Sequence, residues 1–135
     1  MANEILVTDF LSDQMIYSGR KLIERLDDLN AQIKSAFWLY SPEFRTWSLI
    51  LSADSVASDG PRKLYEKILI SNNLAEKTEK TISLNDIGLM SSDQKIVQLL
   101  AMVIRTGPEI SGIRFTRNNI NGIYIDDAYI YRSQS

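Results

Sequence analysis

Histidine and cysteine are both absent from the 135 residues of this chain. Histidine has the unperturbed pKa nearest neutrality and is therefore the commonest general base in enzymes. Cysteine is the strongest protein nucleophile at neutral pH, and the two residues together supply nearly all structural zinc ligands. Carboxylate, lysine, tyrosine or serine chemistry is left open. These residues form no recognisable catalytic arrangement, so we predict no catalytic residue, metal or cofactor.

The sequence also lacks a strong excess of either charge and any long hydrophobic run. It has 15 basic and 17 acidic residues and a formal net charge of −2, which gives no electrostatic reason to expect nucleic acid or an anionic membrane as partner. The longest apolar run, residues 99–104, is far shorter than a membrane span. Together with the missing cysteines, these features predict a soluble cytoplasmic protein with one domain, residues 1–135.

Hydrophobic periodicity predicts three helices. The first, residues 9–30, carries Gly19 within its apolar stripe, and a glycine there suggests close packing against a neighbouring element. The second begins near Asp59, with Pro61 in its first turn. The third, residues 92–106, is apolar on nearly every side, which predicts a helix that is buried all round.

Segments rich in alternating, β-branched or aromatic residues and bounded by turn residues predict five strands. The short link between the first two predicts an antiparallel hairpin, and Asn121-Gly122 between the last two is typical of a type I′ turn. We therefore predict an α+β domain with the order α-β-β-α-β-α-β-β, in which a mostly antiparallel sheet of about five strands packs on three helices. The predicted strands are residues 34–40, 47–52, 81–84, 113–117 and 123–132.

The last predicted strand changes the phase of its alternation. Ile123 and Ile125 share one face, but the apolar residues Ala128 and Ile130 have the opposite parity. A β-bulge at Asp126-Asp127 would place all four on the core face, because one extra residue shifts the phase by one. The tyrosines of the strand would then all point outward; they are Tyr124, Tyr129 and Tyr131.

The outward face of this terminal hairpin is the predicted binding surface. Two aspartates at a bulge can lie toward one side, flanked by the tyrosines and near the arginines of the preceding strand. Tyrosine and arginine are enriched at the centres of protein interfaces. The alternative is a half-solvated sheet face, or a face covered by one of the helices. The predicted surface comprises Arg114, Arg117, Tyr124, Asp126, Asp127, Tyr129 and Tyr131.

A second candidate site lies at the start of the middle helix. Gly60, Arg62 and Lys63 stand where free backbone N–H groups can bind phosphate or carboxylate, although the spacing of a Walker loop is missing. The alternative is an ordinary capped helix with solvated basic side chains. Magnesium at Asp126 and Asp127 is a further alternative, but hard-cation sites usually draw on more than one segment of the chain.

These features predict a small binding or regulatory domain that acts through protein–protein contacts and self-associates as a homodimer. Two alternatives stay open. The first is a small-ligand or phosphate-binding protein, or a carboxylate-dependent enzyme, that uses residues 58–63 or the Asp126/Asp127 pair. The second is a single-stranded nucleic-acid binder that stacks bases on the tyrosines. The overall charge and the two aspartates argue against this hypothesis.

Overall fold

The computed structural model of the protein describes residues 3–134 and confirms the α+β fold, with helices on both faces of a central sheet. Its four α-helices are α1 (Asp13–Asp28), α2 (Asp54–Asp59), α3 (Arg62–Leu74) and α4 (Lys95–Val103). Its strands are β1 (Asn3–Glu4), β2 (Ser35–Ser41), β3 (Thr46–Ser52), β4 (Lys80–Thr81), β5 (Ile87–Met90), β6 (Ile113–Ile120) and β7 (Ile123–Ser133).

The central sheet has five strands in the order β5-β3-β2-β7-β6. The pairings β3–β2, β2–β7 and β7–β6 are antiparallel, and β5 joins β3 in parallel. The prediction of a mostly antiparallel sheet of about five strands is therefore confirmed, and β7 lies inside the sheet while β6 forms its edge. Strands β1 and β4 form a separate parallel pair.

The fifth strand and the helix start differ from the prediction. Residues 81–84 do not supply the fifth strand of the sheet, because Thr81 pairs with Glu4 in the small sheet and Leu84 begins a 3₁₀ turn. The fifth strand is β5, which the sequence did not indicate. The polar segment before Pro61 folds into the short helix α2, so the structure has four helices where three were predicted.

Two apolar clusters cover the two faces of the central sheet. On one face, α1 and α3 pack on Trp38, Trp47 and Tyr131; on the other, α4 packs on Phe37 and Ile130. Because both faces are covered, strands in the middle of the sheet are apolar on both sides. Within residues 3–134, no helix is long and apolar enough to cross a membrane.

Helix α4 is buried on one side only, which corrects the prediction of burial all round. Leu99 and Leu100 lie in the second cluster, but Met102 is 72% exposed and Val103 is 52% exposed. The helix ends at Val103, and its outer face has no described element packed on it that would bury Met102. An apolar sequence on every side therefore does not imply burial on every side.

The terminal hairpin has the predicted turn, with positive φ angles of 47° at Asn121 and 92° at Gly122. Ile125, Ala128 and Ile130 are buried in one cluster and Ile123 packs against it, so the predicted change of phase is confirmed. It does not arise from a one-sided bulge at Asp126-Asp127. The register between β6 and β7 is the same on both sides of this point.

Both strands of the hairpin change phase together, which explains the unbroken register. Thr116 pairs with Asp127 and Asn118 pairs with Ile125, while Arg117, between them on β6, has a φ of 48°. The one-residue shift of register lies instead between β7 and β2, where Ala36 faces Arg132 but Phe37 faces Ile130. Tyr131 is the extra residue there, as in a β-bulge.

Asp86 carries a charge that the fold disfavours. Its carboxyl lies in the 3₁₀ turn before β5, and burial, with a smaller contribution from Glu4, raises its pKa above the usual 3.8. Because this pKa is higher in the folded than in the unfolded protein, the protonated carboxyl of Asp86 favours folding. That contribution to stability is present at low pH and is lost as the pH rises through the folded pKa. The charged form therefore destabilises the protein at neutral pH.

We expect Asp86→Asn to raise the melting temperature at pH 7, because the variant removes this charge. Thermal unfolding at pH 7 and at a pH below 3.8 measures the effect, and the gain should vanish in acid, where the wild-type carboxyl is protonated. Asp28→Asn, at an exposed aspartate on α1, is the matched control. A gain that is equal at both pH values would contradict this account.

Candidate functional site

Three of the predicted surface residues meet in one small cleft on the α1 face of the sheet. Arg114 on β6 and Asp126 and Asp127 on β7 line a cavity of about 150 Å³, whose other walls come from residues 9–11 and from the β2–β3 hairpin. We call this cavity the aromatic cleft. Its lining residues are Asp9, Phe10, Leu11, Tyr40, Trp47, Arg114, Asp126 and Asp127.

Arg114 and Asp127 form a bidentate ion pair at one wall of the cleft. Arg114 Nε donates to Asp127 Oδ1 at 2.6 Å, and Arg114 Nη2 donates to Oδ2 at 2.5 Å. The guanidinium lies 5.7 Å from the centroid of the Trp47 ring, within the range of a cation–π contact. The hydrogen bonds that Arg114 donates to Asp127 raise the pKa of the guanidinium. This wall is therefore charged, planar and held in place by two strands.

A second part of the cleft wall is an aromatic pair. Tyr40 and Trp47 face each other across the β2–β3 hairpin, with ring centroids 5.2 Å apart and an interplanar angle of 54°. Trp47 Nε1 donates a hydrogen bond to the backbone carbonyl of Asp9 at 2.9 Å. This bond fixes the segment before α1 against the sheet, because the indole ring is itself buried.

One exposed phenylalanine lines the cleft, and another lies in the turn of the hairpin that forms one of its walls. Phe10, which lines it, is 70% exposed, and Phe44, in the turn between β2 and β3, is 73% exposed. Arg45, next to Phe44, brings that turn to the cleft through an ion pair of 3.6 Å between its Nη2 and Asp9 Oδ2. We call the aromatic cleft together with Phe44 and Arg45 the cleft surface.

The comparisons with known proteins return no match. This holds for protein-family models, for curated proteins and for solved structures alike.

The predicted outward tyrosines do not form a shared surface. Tyr131 is fully buried: its hydroxyl accepts a hydrogen bond from Trp38 Nε1 at 2.9 Å and donates one to the carbonyl of Ile16 at 2.7 Å. Burial raises the pKa of this hydroxyl. Tyr129 is half-buried against Tyr131, with ring centroids 5.3 Å apart. The prediction was wrong for Tyr131 because α1 covers the face on which it lies.

Tyr124 and Arg117 are exposed but do not line the cleft. Tyr124 is 56% exposed and pairs with Asn119 next to the hairpin turn. Arg117 is exposed on the edge strand β6. The structure thus brings Arg114, Asp126 and Asp127 together and leaves the other four predicted residues outside the cleft.

The predicted anion site at the start of α3 consists of ion-paired side chains. Arg62 Nε lies 3.3 Å from Glu66 Oε1, and Lys63 Nζ lies 3.5 Å from Asp59 Oδ2. Gly60 forms the link between α2 and α3. Because each basic group already has a carboxylate four residues away, this arrangement favours the alternative of an ordinary helix start.

A cluster that the sequence analysis did not single out joins Lys34, Asp54 and Ser92. Lys34 Nζ lies 2.7 Å from Asp54 Oδ2, and the Ser92 hydroxyl donates to Asp54 Oδ1 at 2.8 Å. The hydrogen bonds from Lys34, and then from Ser92, lower the pKa of the Asp54 carboxyl. A carboxylate with a lowered pKa is a poor general base at neutral pH, so this contact does not activate the serine.

Metal ligation finds no support in the described part of the chain. Among residues 3–134, no three acidic side chains come close enough together to hold a metal ion. The two aspartates proposed for magnesium both line the aromatic cleft, but one of them, Asp127, is taken up by Arg114. The cleft surface is therefore the candidate functional site.

Proposed function

We propose that this protein is a binding domain that acts through contacts with other protein chains, and that it self-associates through the cleft surface. The observation that supports this is the exposure of Phe10 and Phe44 beside an ordered cleft with aromatic and arginine walls. Such residues are enriched at the centres of protein interfaces. Burying one phenylalanine at an interface stabilises the complex by about 1.5–3 kcal/mol.

Both signs of charge on the cleft surface favour a second copy as the occupant. In a two-fold homodimer each patch meets the same patch of its partner, so the patch must be complementary to itself. Its positive groups are Arg45 and Arg114, and its negative groups are Asp9, Asp126 and Asp127. We also propose that this domain is cytoplasmic, because a chain without cysteine cannot form the disulfide bonds that oxidising compartments favour.

We expect the molar mass measured by light scattering to rise from 15.4 kDa toward twice that value as the protein is concentrated. The double variant Phe10→Ser/Phe44→Ser should weaken the dimer by about 100-fold or more, since the two-fold dimer loses four rings and even about 0.7 kcal/mol from each, half the lower burial value, gives that factor. Size-exclusion chromatography with light scattering, between about 1 µM and about 1 mM, covers the range of such affinities.

The matched control is Leu69→Ser/Ile70→Ser on α3, because both residues are apolar, 49% exposed and outside the cleft surface. This control should leave the dimer intact, and both double variants should retain the wild-type circular dichroism. A wild-type mass of 15.4 kDa at every concentration would overturn the proposal of self-association. Equal weakening by the two double variants would overturn the choice of surface.

A further inference from the structure

The edge strand β6 has a side that no described strand pairs with. Its eight residues pair with β7 alone, while the opposite edge of the sheet, β5, has four. In an edge strand, alternate residues direct their backbone N–H and C=O groups away from the sheet, where another chain can bind them. β6 therefore offers a longer row of free backbone groups than β5 does.

The two halves of β6 differ in whether their outward backbone N–H and C=O groups are free to pair with another strand. Near the turn, the N–H of Asn119 donates to the side-chain carbonyl of Asn118 at 3.0 Å, so a local partner already takes it. Arg117, with its φ of 48°, interrupts the strand in the middle. Residues 113–116 form the regular half, with an unbroken register to β7. An incoming strand therefore fits along residues 113–116.

Apolar surface on this half of the edge also lacks a cover. Ile113 and Phe115 pack against the second apolar cluster but are only half-buried. A further strand beside them would extend the cluster and bury this surface. Since side chains alternate along a strand, the added segment needs apolar residues at every second position.

The positive charge on β6 favours a partner segment with negative charge. The strand carries Arg114 and Arg117 and no acidic residue. Asp127 neutralises Arg114, whereas Arg117 has no ion pair among residues 3–134. Antiparallel pairing of residues 113–116 with the same residues of a second copy would place Gly112 opposite Arg117, so a second copy offers this arginine no carboxylate. An acidic residue at the same place would be attracted.

We propose that residues 113–116 of β6 accept an extended segment of another protein as a sixth strand, and that an aspartate or glutamate of this segment pairs with Arg117. This mode of recognition obtains affinity from backbone hydrogen bonds and specificity from alternate side chains. The partner at this edge differs from the second copy proposed for the cleft surface, and the two contacts are independent of each other.

The experiment uses a phage-displayed library of random peptides of about ten residues, the upper end of common strand lengths. The Phe10→Ser/Phe44→Ser variant serves as bait, so that binding is measured independently of self-association. We expect enriched peptides with alternating apolar residues and at least one acidic residue. Amide hydrogen exchange of residues 113–116 should slow when a synthetic copy of the enriched peptide binds.

Arg117→Glu in the same bait should weaken binding of the enriched peptide about five- to tenfold, since it replaces an attraction by a repulsion at an exposed site. Arg105→Glu, at an exposed arginine after α4, is the matched control and should leave the affinity unchanged. The inference is overturned if no alternating acidic peptide is enriched. It is equally overturned if exchange at residues 113–116 stays the same on binding, or if both charge reversals act equally.

Discussion

Gly19→Ala is expected to destabilise the protein by about 2 kcal/mol, although alanine is the better helix former by about 1 kcal/mol. A Cβ at this position of α1 would lie 3.0 Å from Trp38 Nε1 and closer still to the Tyr131 hydroxyl. Both side chains are fully buried and hydrogen-bonded to each other. The added methyl group must displace them and strain or break that hydrogen bond, which costs more than the gain in helix propensity.

A double-mutant cycle with Tyr131→Phe tests this cause. Loss of the hydroxyl leaves the N–H of Trp38 unpaired, so Tyr131→Phe alone should cost about 1–2 kcal/mol. The same loss removes the closest contact of the methyl group, although the ring carbon Cζ still lies 2.9 Å from it, so the double variant should fall short of the summed costs by about 1 kcal/mol in urea unfolding. Gln14→Ala, at an exposed position of α1, is the control. Strictly additive costs would show that the methyl group and the hydroxyl do not collide.

Local sequence patterns predicted the elements whose structure depends on neighbouring residues. The type I′ turn at Asn121-Gly122 requires two positive φ angles, and this pair of residues tolerates them. The stripe of α1 with its packing glycine, Gly19, follows from helical periodicity. The β2–β3 hairpin follows from the short link between two apolar segments.

Local sequence patterns did not predict the elements whose structure depends on residues far away in the chain. The four residues of β5 have no alternation and include Gly88, and they form a strand because β3 supplies the hydrogen bonds. Alternation along β7 predicted which residues share a face but not which face is covered. Since α1 lies over one face and α4 over the other, both faces are core, and Tyr131 is buried.

The candidate site was predictable only in part, for the same reason. Arg114, Asp126 and Asp127 lie on adjacent strands of one hairpin, so the sequence placed them together. Asp9 and Trp47 come from other parts of the chain, and only the folded structure brings them to the cleft. One available signal was missed: a phenylalanine, Phe44, in a polar turn has no local structural role and suggests an exposed contact.

The ion pair between Arg132 and Asp27 joins the end of β7 to the end of α1. Arg132 Nη2 donates to Asp27 Oδ2 at 2.7 Å and Nη1 donates to Oδ1 at 3.0 Å. Nη1 also donates to the carbonyl of Ile33 at 3.0 Å. The side chain of Arg132 is 5% exposed and that of Asp27 is 38% exposed. The guanidinium therefore depends on one carboxylate for its neutralisation, while the carboxylate keeps contact with water.

Asp27→Ala should destabilise the protein by about 3 kcal/mol, the lower end for a broken buried pair, because solvent reaches the carboxylate. The cost arises from the unpaired buried cation, so Asp27→Ala/Arg132→Met, which removes both charges, should recover all but about 1 kcal/mol. Asp28→Ala, at the exposed neighbouring residue, should change the free energy of unfolding by less than about 0.5 kcal/mol. Urea unfolding of the three variants measures these changes in the free energy of unfolding. If the double variant is as unstable as Asp27→Ala, the loss comes from packing around Arg132 rather than from its charge.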